Sequence, residues 1–168
     1  MSVREQLLSL CGELQTSMAV LQKILAYYDE FTEENSSNMK TKENGIVISE
    51  IASNFYTCLE TVFFRISRFF ENSLDPARWH KEVLRKMTVT VPGIRERVIT
   101  DETYRSLSEL LRFRHFKRYY FDFDYDWDRL ELIMKKIDKV RGPIVKELSD
   151  YIVYIESLAN EAGVDEVD

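Results

Sequence analysis

Residues 46–72 read IVISEIASNFYTCLETVFFRISRFFEN, and the apolar side chains in them recur at helical steps. Ile48, Ile51, Phe55, Cys58, Leu59, Val62, Phe63, Ile66 and Phe70 repeat at the i, i+3, i+4 spacing. At 3.6 residues per turn, this spacing gathers them onto one face. The stripe is wide, so this helix is expected to be the most buried one in the chain.

The pattern extends outward in both directions. Leu7, Leu10, Leu14, Met18, Leu21, Leu25 and Tyr28 alternate steps of three and four and predict a helix over about 3–32. The polar run TEENSSNMKTKENG that follows is expected to be loop or frayed helix. Beyond the central stretch, Ser73-Leu74-Asp75-Pro76 marks a stop and a restart. Asp75 is expected to cap, and Pro76 to open, a short helix over about 76–87. Trp79 and His80 are expected to pack that helix onto the rest. Residues 88–99, TVTVPGIRERVI, form the least helical stretch, with a turn at Pro92-Gly93. Thr100 or Asp101 then caps a helix over about 101–121. A last helix spans about 126–161, with a kink or break expected at Gly142-Pro143, because an interior proline costs roughly 3 kcal/mol. The acidic tail 162–168 is expected to be disordered.

Composition supports this architecture. Five Gly and three Pro among 168 residues make about 5%, against an average of roughly 12%. Sandwiches, barrels and Gly-rich phosphate loops all need more breakers than this. The expected fold is all-α: a single domain over 1–168, an up-down bundle of four long helices and one short one. The first residues, MSVREQLLSLCGEL, lack the apolar core of a secretory signal, and no run approaches the roughly 20 apolar residues that span a bilayer. Cys11 and Cys58 lie within apolar helical patterns and read as buried thiols of a cytoplasmic protein. His80 and His115 have no metal-ligand spacing, so no metal or cofactor is expected. A net charge of −6 argues against bulk nucleic-acid binding but not against a local patch.

Residues 112–130, RFRHFKRYYFDFDYDWDRL, supply such a patch. Arg112, Arg114, Lys117 and Arg118 accompany His115 with no acid between them, and aromatics follow in alternation with Asp122, Asp124, Asp126 and Asp128. Guanidinium groups with interleaved rings suit phosphates and unstacked bases. Tyr104, Leu107, Leu111, Arg114, Arg118 and Phe121 share one stripe, so two arginines stand where apolar residues are expected. Either they bind phosphate, or they pair with acids on a neighbouring helix or in the Asp run. Phe113, Phe116 and Tyr120 are expected in the core, and Phe121, Phe123, Tyr125 and Trp127 in a short packed segment between two helices.

The stretches YTCLETVFFRISRFFENSLDPARWHKEVLRKMT (56–88) and PGIRERVITDETYRSLSELLRFRHFKRYYFDFDYDWDRL (92–130) resemble the HepT-like branch of the HEPN superfamily. The most specific element is LLRFRHFKRYYF (110–121), preceded by the short Trp-His helix and the PGxR turn. The resemblance implies a helical bundle and a homodimer in which two Arg-x4-His motifs face one cleft for metal-independent RNA cleavage. It also implies a toxin role and an MNT-type nucleotidyltransferase antitoxin that can adenylylate the tyrosine of an Arg-x4-His-x-Tyr motif. The motif arginine falls on Arg114, the histidine position on Tyr119 and the tyrosine position on Phe121. A phenol with a pKa near 10 is a poor base at neutral pH, so Tyr119 argues for weak or lost cleavage. His115 is the candidate substitute base, and Tyr119 and Tyr120 are the candidate modification sites. Arg112, Arg114, Lys117 and Arg118 are the candidates for holding RNA phosphate. An RNA-cleaving toxin or its degenerate descendant is the first reading; an inactive module binding RNA, a nucleotide or the nucleotidyltransferase is the alternative.

Overall fold

A computed structural model describes residues 1–71 and 79–165. The elements are α1 (Val3–Glu34), α2 (Lys42–Phe70), α3 (Trp79–Lys86), α4 (Asp101–Tyr119) and α5 (Trp127–Asp165). Among the described residues there is no strand, only an isolated bridge between Val91 and Arg95. The all-α expectation holds.

Cross-helix contacts fix the directions. Cys58 donates to the Ser17 carbonyl and Arg65 pairs with Glu13, so α2 runs against α1. Gln15 reaches Glu156 and Asp29 pairs with Arg141, so α5 also runs against α1. Glu60 meets Arg114 and Glu50 meets Lys117, which sets α4 against α2. Thr103 bonds to Glu147, and Arg129 lies over the Phe116 ring, which sets α5 against α4. Four long helices thus alternate up and down, each packed on its two neighbours. Each stripe faces the shared core: Leu7 through Tyr28 of α1, and Ile48 through Ile66 of α2, are buried except for half-buried Cys58. The cysteines are unpaired, and burial pushes both thiols upward in pKa.

Several boundaries differ from expectation, each for a local reason. The α1–α2 connection covers only 35–41, because Thr41 caps α2 by accepting from the Asn44 amide (3.1 Å). Gly45 thereby falls in the first turn of α2, where a Cβ would meet Leu130 at 3.3 Å. The indole of Trp127 donates to the Thr41 carbonyl (3.2 Å) and fastens the starts of α2 and α5 together. The helix α5 is not broken at Pro143. Gly142 and Pro143 are exposed, so the carbonyl deprived of its partner can bond to water. Val140, Ile144 and Leu148 meanwhile hold the other face in the core. The same helix runs on to Asp165, into the stretch expected to be disordered, and the Arg4 side chain packs on Gly163 there. The expected cap at Asp75-Pro76 and the Trp79-His80 packing lie outside the described residues and side chains.

The turn at 91–95 has an unforeseen role. Gly93 takes φ +74°, a conformation that favours glycine, and Val91 bonds twice with Arg95. This aims Arg95 inward, where its side chain has no exposure. Its guanidinium donates to Glu71 (2.6 and 2.8 Å) and to the carbonyls of Lys86, Val89 and Glu96. One side chain thus ties together the ends of α2 and α3 and the turn that leads to α4.

Candidate functional site

Helix α4 positions the cationic patch. Thr100 caps it through the Thr103 amide (3.3 Å), and Glu147 of α5 accepts from the Thr100 amide (3.0 Å) and the Thr103 hydroxyl (3.1 Å). Leu107, Leu110, Leu111 and Phe113 are buried, so the register of the following turns is set by the core. The helix ends at Tyr119, two residues before expectation, because Tyr120 is extended and its hydroxyl donates to the Asp124 carbonyl (2.8 Å).

A groove of about 540 Å³ lies between α2 and α4 and is lined by Ser53, Arg114, His115, Lys117 and Arg118. The structure therefore brings four of the expected residues together. Arg114 anchors the groove floor. Its Nη1 engages both carboxylate oxygens of Glu60, at 3.0 and 3.1 Å, and its guanidinium lies 5.9 Å from the centre of the Tyr56 ring. Glu60 is buried, while the Arg114 side chain keeps 22% exposure toward the groove. Arg114 thus has the acid partner on a neighbouring helix that its place on an apolar stripe suggested. Lys117 pairs with exposed Glu50. Arg118 is exposed and forms no ion pair among the described residues; its guanidinium stands 6.0 Å from the Tyr119 ring. With Arg114 and Lys117 each offset by a carboxylate, Arg118 supplies most of the uncompensated charge.

The other expected residues lie elsewhere. Arg112 is exposed, outside the groove lining, and paired with Glu109 (2.7 Å) one turn back. Tyr119 is 73% exposed at the end of α4, and Phe121 is 85% exposed beyond it. Tyr120 instead belongs to an aromatic ladder: it stacks on Phe116 (4.8 Å), meets Tyr125 (5.2 Å) and continues through Phe113. Arg129 covers Phe116 at 3.7 Å. Of the ladder, only Phe113 is fully in the core. Desolvation, followed by the nearby Asp122 and Asp124 charges, raises the Tyr120 phenol above its ordinary pKa.

Sequence reasoning missed Ser53, Glu50 and Glu60, all on α2. Glu60 had a signal: it falls one turn after Tyr56, on the flank of the widest apolar stripe, where an acid needs a partner. Among the described residues no cluster of three or more His, Cys, Asp or Glu is placed to hold a metal. No helix among them is long and apolar enough to cross a membrane.

An antiparallel helical bundle with a cationic groove built from helix side chains is the class this fold and site define. The chain belongs to the HepT-like proteins: the family model of that description matches residues 47–155, from the first turns of α2 to near the end of α5. Neither the curated proteins nor the solved structures gave a match.

Proposed function

We propose that this HepT-like chain acts on RNA as a homodimer and binds RNA phosphate in the Arg114–Arg118 groove. Cleavage in it is weak or lost. The observation that carries the reading is the groove itself, where Arg114, His115, Lys117 and Arg118 converge on one open surface. Metal-free cleavage of RNA requires a base for the 2′-hydroxyl and a cation for the charged phosphorane. The arginines supply the second requirement. Tyr119 holds the base position, but a phenol is a poor base for this step and its ring points to solvent. Two copies facing one another would double the cationic surface and form a composite cleft.

The test is binding and cutting of tRNA or mRNA in chelator. Wild type is expected to bind RNA and to cut it poorly, and Tyr119→His to gain cleavage. Arg118→Ala is the clean loss variant, since Arg114→Ala would strand the Glu60 carboxylate. It should weaken binding and lower the salt slope by about one per site. Absence of RNA binding by wild type, or equal binding by Arg118→Ala, removes the reading.

One observation favours a second reading, an active ribonuclease toxin. His115 lines the same groove as Arg118 and can serve as the base. In that case wild type cuts RNA without metal and His115→Ala does not. An MNT-type nucleotidyltransferase partner belongs to both readings. Tyr119 is the better acceptor for adenylylation, because the Tyr120 hydroxyl already donates to Asp124. The unpaired thiols of Cys11 and Cys58 suit the cytoplasm.

A further inference from the structure

The end of α4 and the segment that leads to α5 form an exposed aromatic knob. Tyr119, Phe121 and Phe123 are 73%, 85% and 60% exposed, three rings within five residues. Two hydrogen bonds shape the segment around them. Asp122 accepts from the Asp124 amide (3.2 Å), and the Tyr120 hydroxyl donates to the Asp124 carbonyl (2.8 Å). Tyr120 and Tyr125 pack inward on each other. The bend at Phe123 is thus held from within, and Phe121 and Phe123 are left on its outer side. A shape fixed before binding loses less entropy on docking.

The knob's own charges select its occupant. Asp122, Asp124 and Asp126 are exposed among the rings. RNA-stacking platforms carry cations beside their aromatics, whereas these aspartates repel phosphate. The complementary surface is one turn away, in the groove where Arg118 stands exposed beside Lys117. Within its own chain the Tyr119 ring stands 6.0 Å from the Arg118 guanidinium, whereas Phe121 is almost fully in water and leaves the groove open. We propose that the knob of one copy docks in the Arg118 groove of a second copy, with Phe121 against the guanidinium and Asp122 and Asp124 against the cations. The contact is isologous, so each copy gives a knob and receives one. It rests on the groove of the proposed function and names how that site is controlled: this pairing of two copies is its closed form, in which knob and RNA compete for Arg118, and RNA enters when the knobs withdraw.

Sedimentation velocity on the full chain reads the association, and fluorescence anisotropy with a single-stranded oligouridylate reads RNA binding. All substituted side chains are exposed. Arg118→Asp alone, and Asp124→Arg with Asp122→Asn, which keeps the acceptor for the Asp124 amide, should each weaken association by about tenfold or more, because the attraction across the interface is lost and like charges then face each other. All three changes in one chain should restore it, which general destabilisation cannot do. Phe121→Ser with Phe123→Ser should weaken association and tighten oligouridylate binding. The proposal falls if the triple variant associates no better than its parts, or if the chain is monomeric at every concentration. It also falls if the phenylalanine variant leaves association unchanged and weakens oligouridylate binding, which would make the rings an RNA platform. Should wild type ignore oligouridylate while the triple variant restores association, the RNA reading fails and the knob contact stands.

Discussion

Arg95 and Arg114 both reach a carboxylate supplied by α2 or its cap, yet the two regions are built to opposite ends. Around Arg95 the structure is closed. The side chain has no exposure, Glu71 and three backbone carbonyls accept from it, and Lys86 holds the second oxygen of Glu71 at 2.7 Å. Around Arg114 the structure is half open. One nitrogen is held by Glu60, and the remaining edge of the side chain faces a groove shared with Arg118. Enclosing a charge on all sides fixes the chain and leaves nothing for a ligand. Fixing it from below and leaving one side in water presents it. The lesson is that the carboxylate positions the arginine, while the exposure of the arginine decides what it can still meet.

Substitutions at the two carboxylates test this contrast most strongly. Glu71→Ala removes the charge partner of an enclosed guanidinium and should cost about 3–5 kcal/mol in a urea titration. Glu60→Ala should cost less, about 2 kcal/mol, because Arg114 can turn toward water. It should also weaken RNA binding, since the guanidinium loses its support. Equal losses at the two sites would erase the distinction between a closed and an open arginine.

Acid gives a weaker form of the same comparison. Burial pushes the Glu71 carboxyl upward, but hydrogen bonds from Lys86 and Arg95 outweigh it and hold the group below the ordinary carboxylate range. A depressed folded pKa means that the stabilisation is complete above the unfolded pKa and is lost as pH falls through the folded one. Thermal melts should therefore drop in acid, and Glu71→Ala should flatten that drop. The smallest effects belong to the exposed arginines. Arg118→Ala should change stability by no more than about 0.5 kcal/mol while reducing RNA affinity. Arg112→Ala, which loses only an exposed pair with Glu109, should cost about 0.3 kcal/mol and leave RNA binding unchanged. A loss of RNA affinity with Arg112→Ala would extend the binding surface beyond the groove.

The helices were legible because their signal is local. Residues three and four apart share a face whatever the rest of the chain does, so the stripes of α1 and α2 translate directly into core. Breakers were less legible, because their effect depends on surroundings. Pro143 was expected to interrupt α5, but it lies on the solvent side of a helix whose other face is pinned by Val140 and Ile144. Arg95 reads in sequence as a surface residue of a turn. Only the positive φ at Gly93 and the meeting of three chain ends turn it inward. At the site, the cations of α4 were visible as a run without acids, but their partners Glu60 and Glu50 were not, because pairing between helices depends on how those helices dock.

By itself, then, the sequence determined an all-α chain and its main helices, the cationic run of α4 and the HepT-like resemblance of 56–130. These depend on side chains within a few residues of one another. The tertiary structure decided which cation is held and which is presented. Arg114, Lys117 and Arg118 lie within five residues on one helix. Their different states follow from where Glu60 and Glu50 of α2 come to rest beside them. A charge is governed by its neighbours in space, and packing the bundle is what supplies those neighbours.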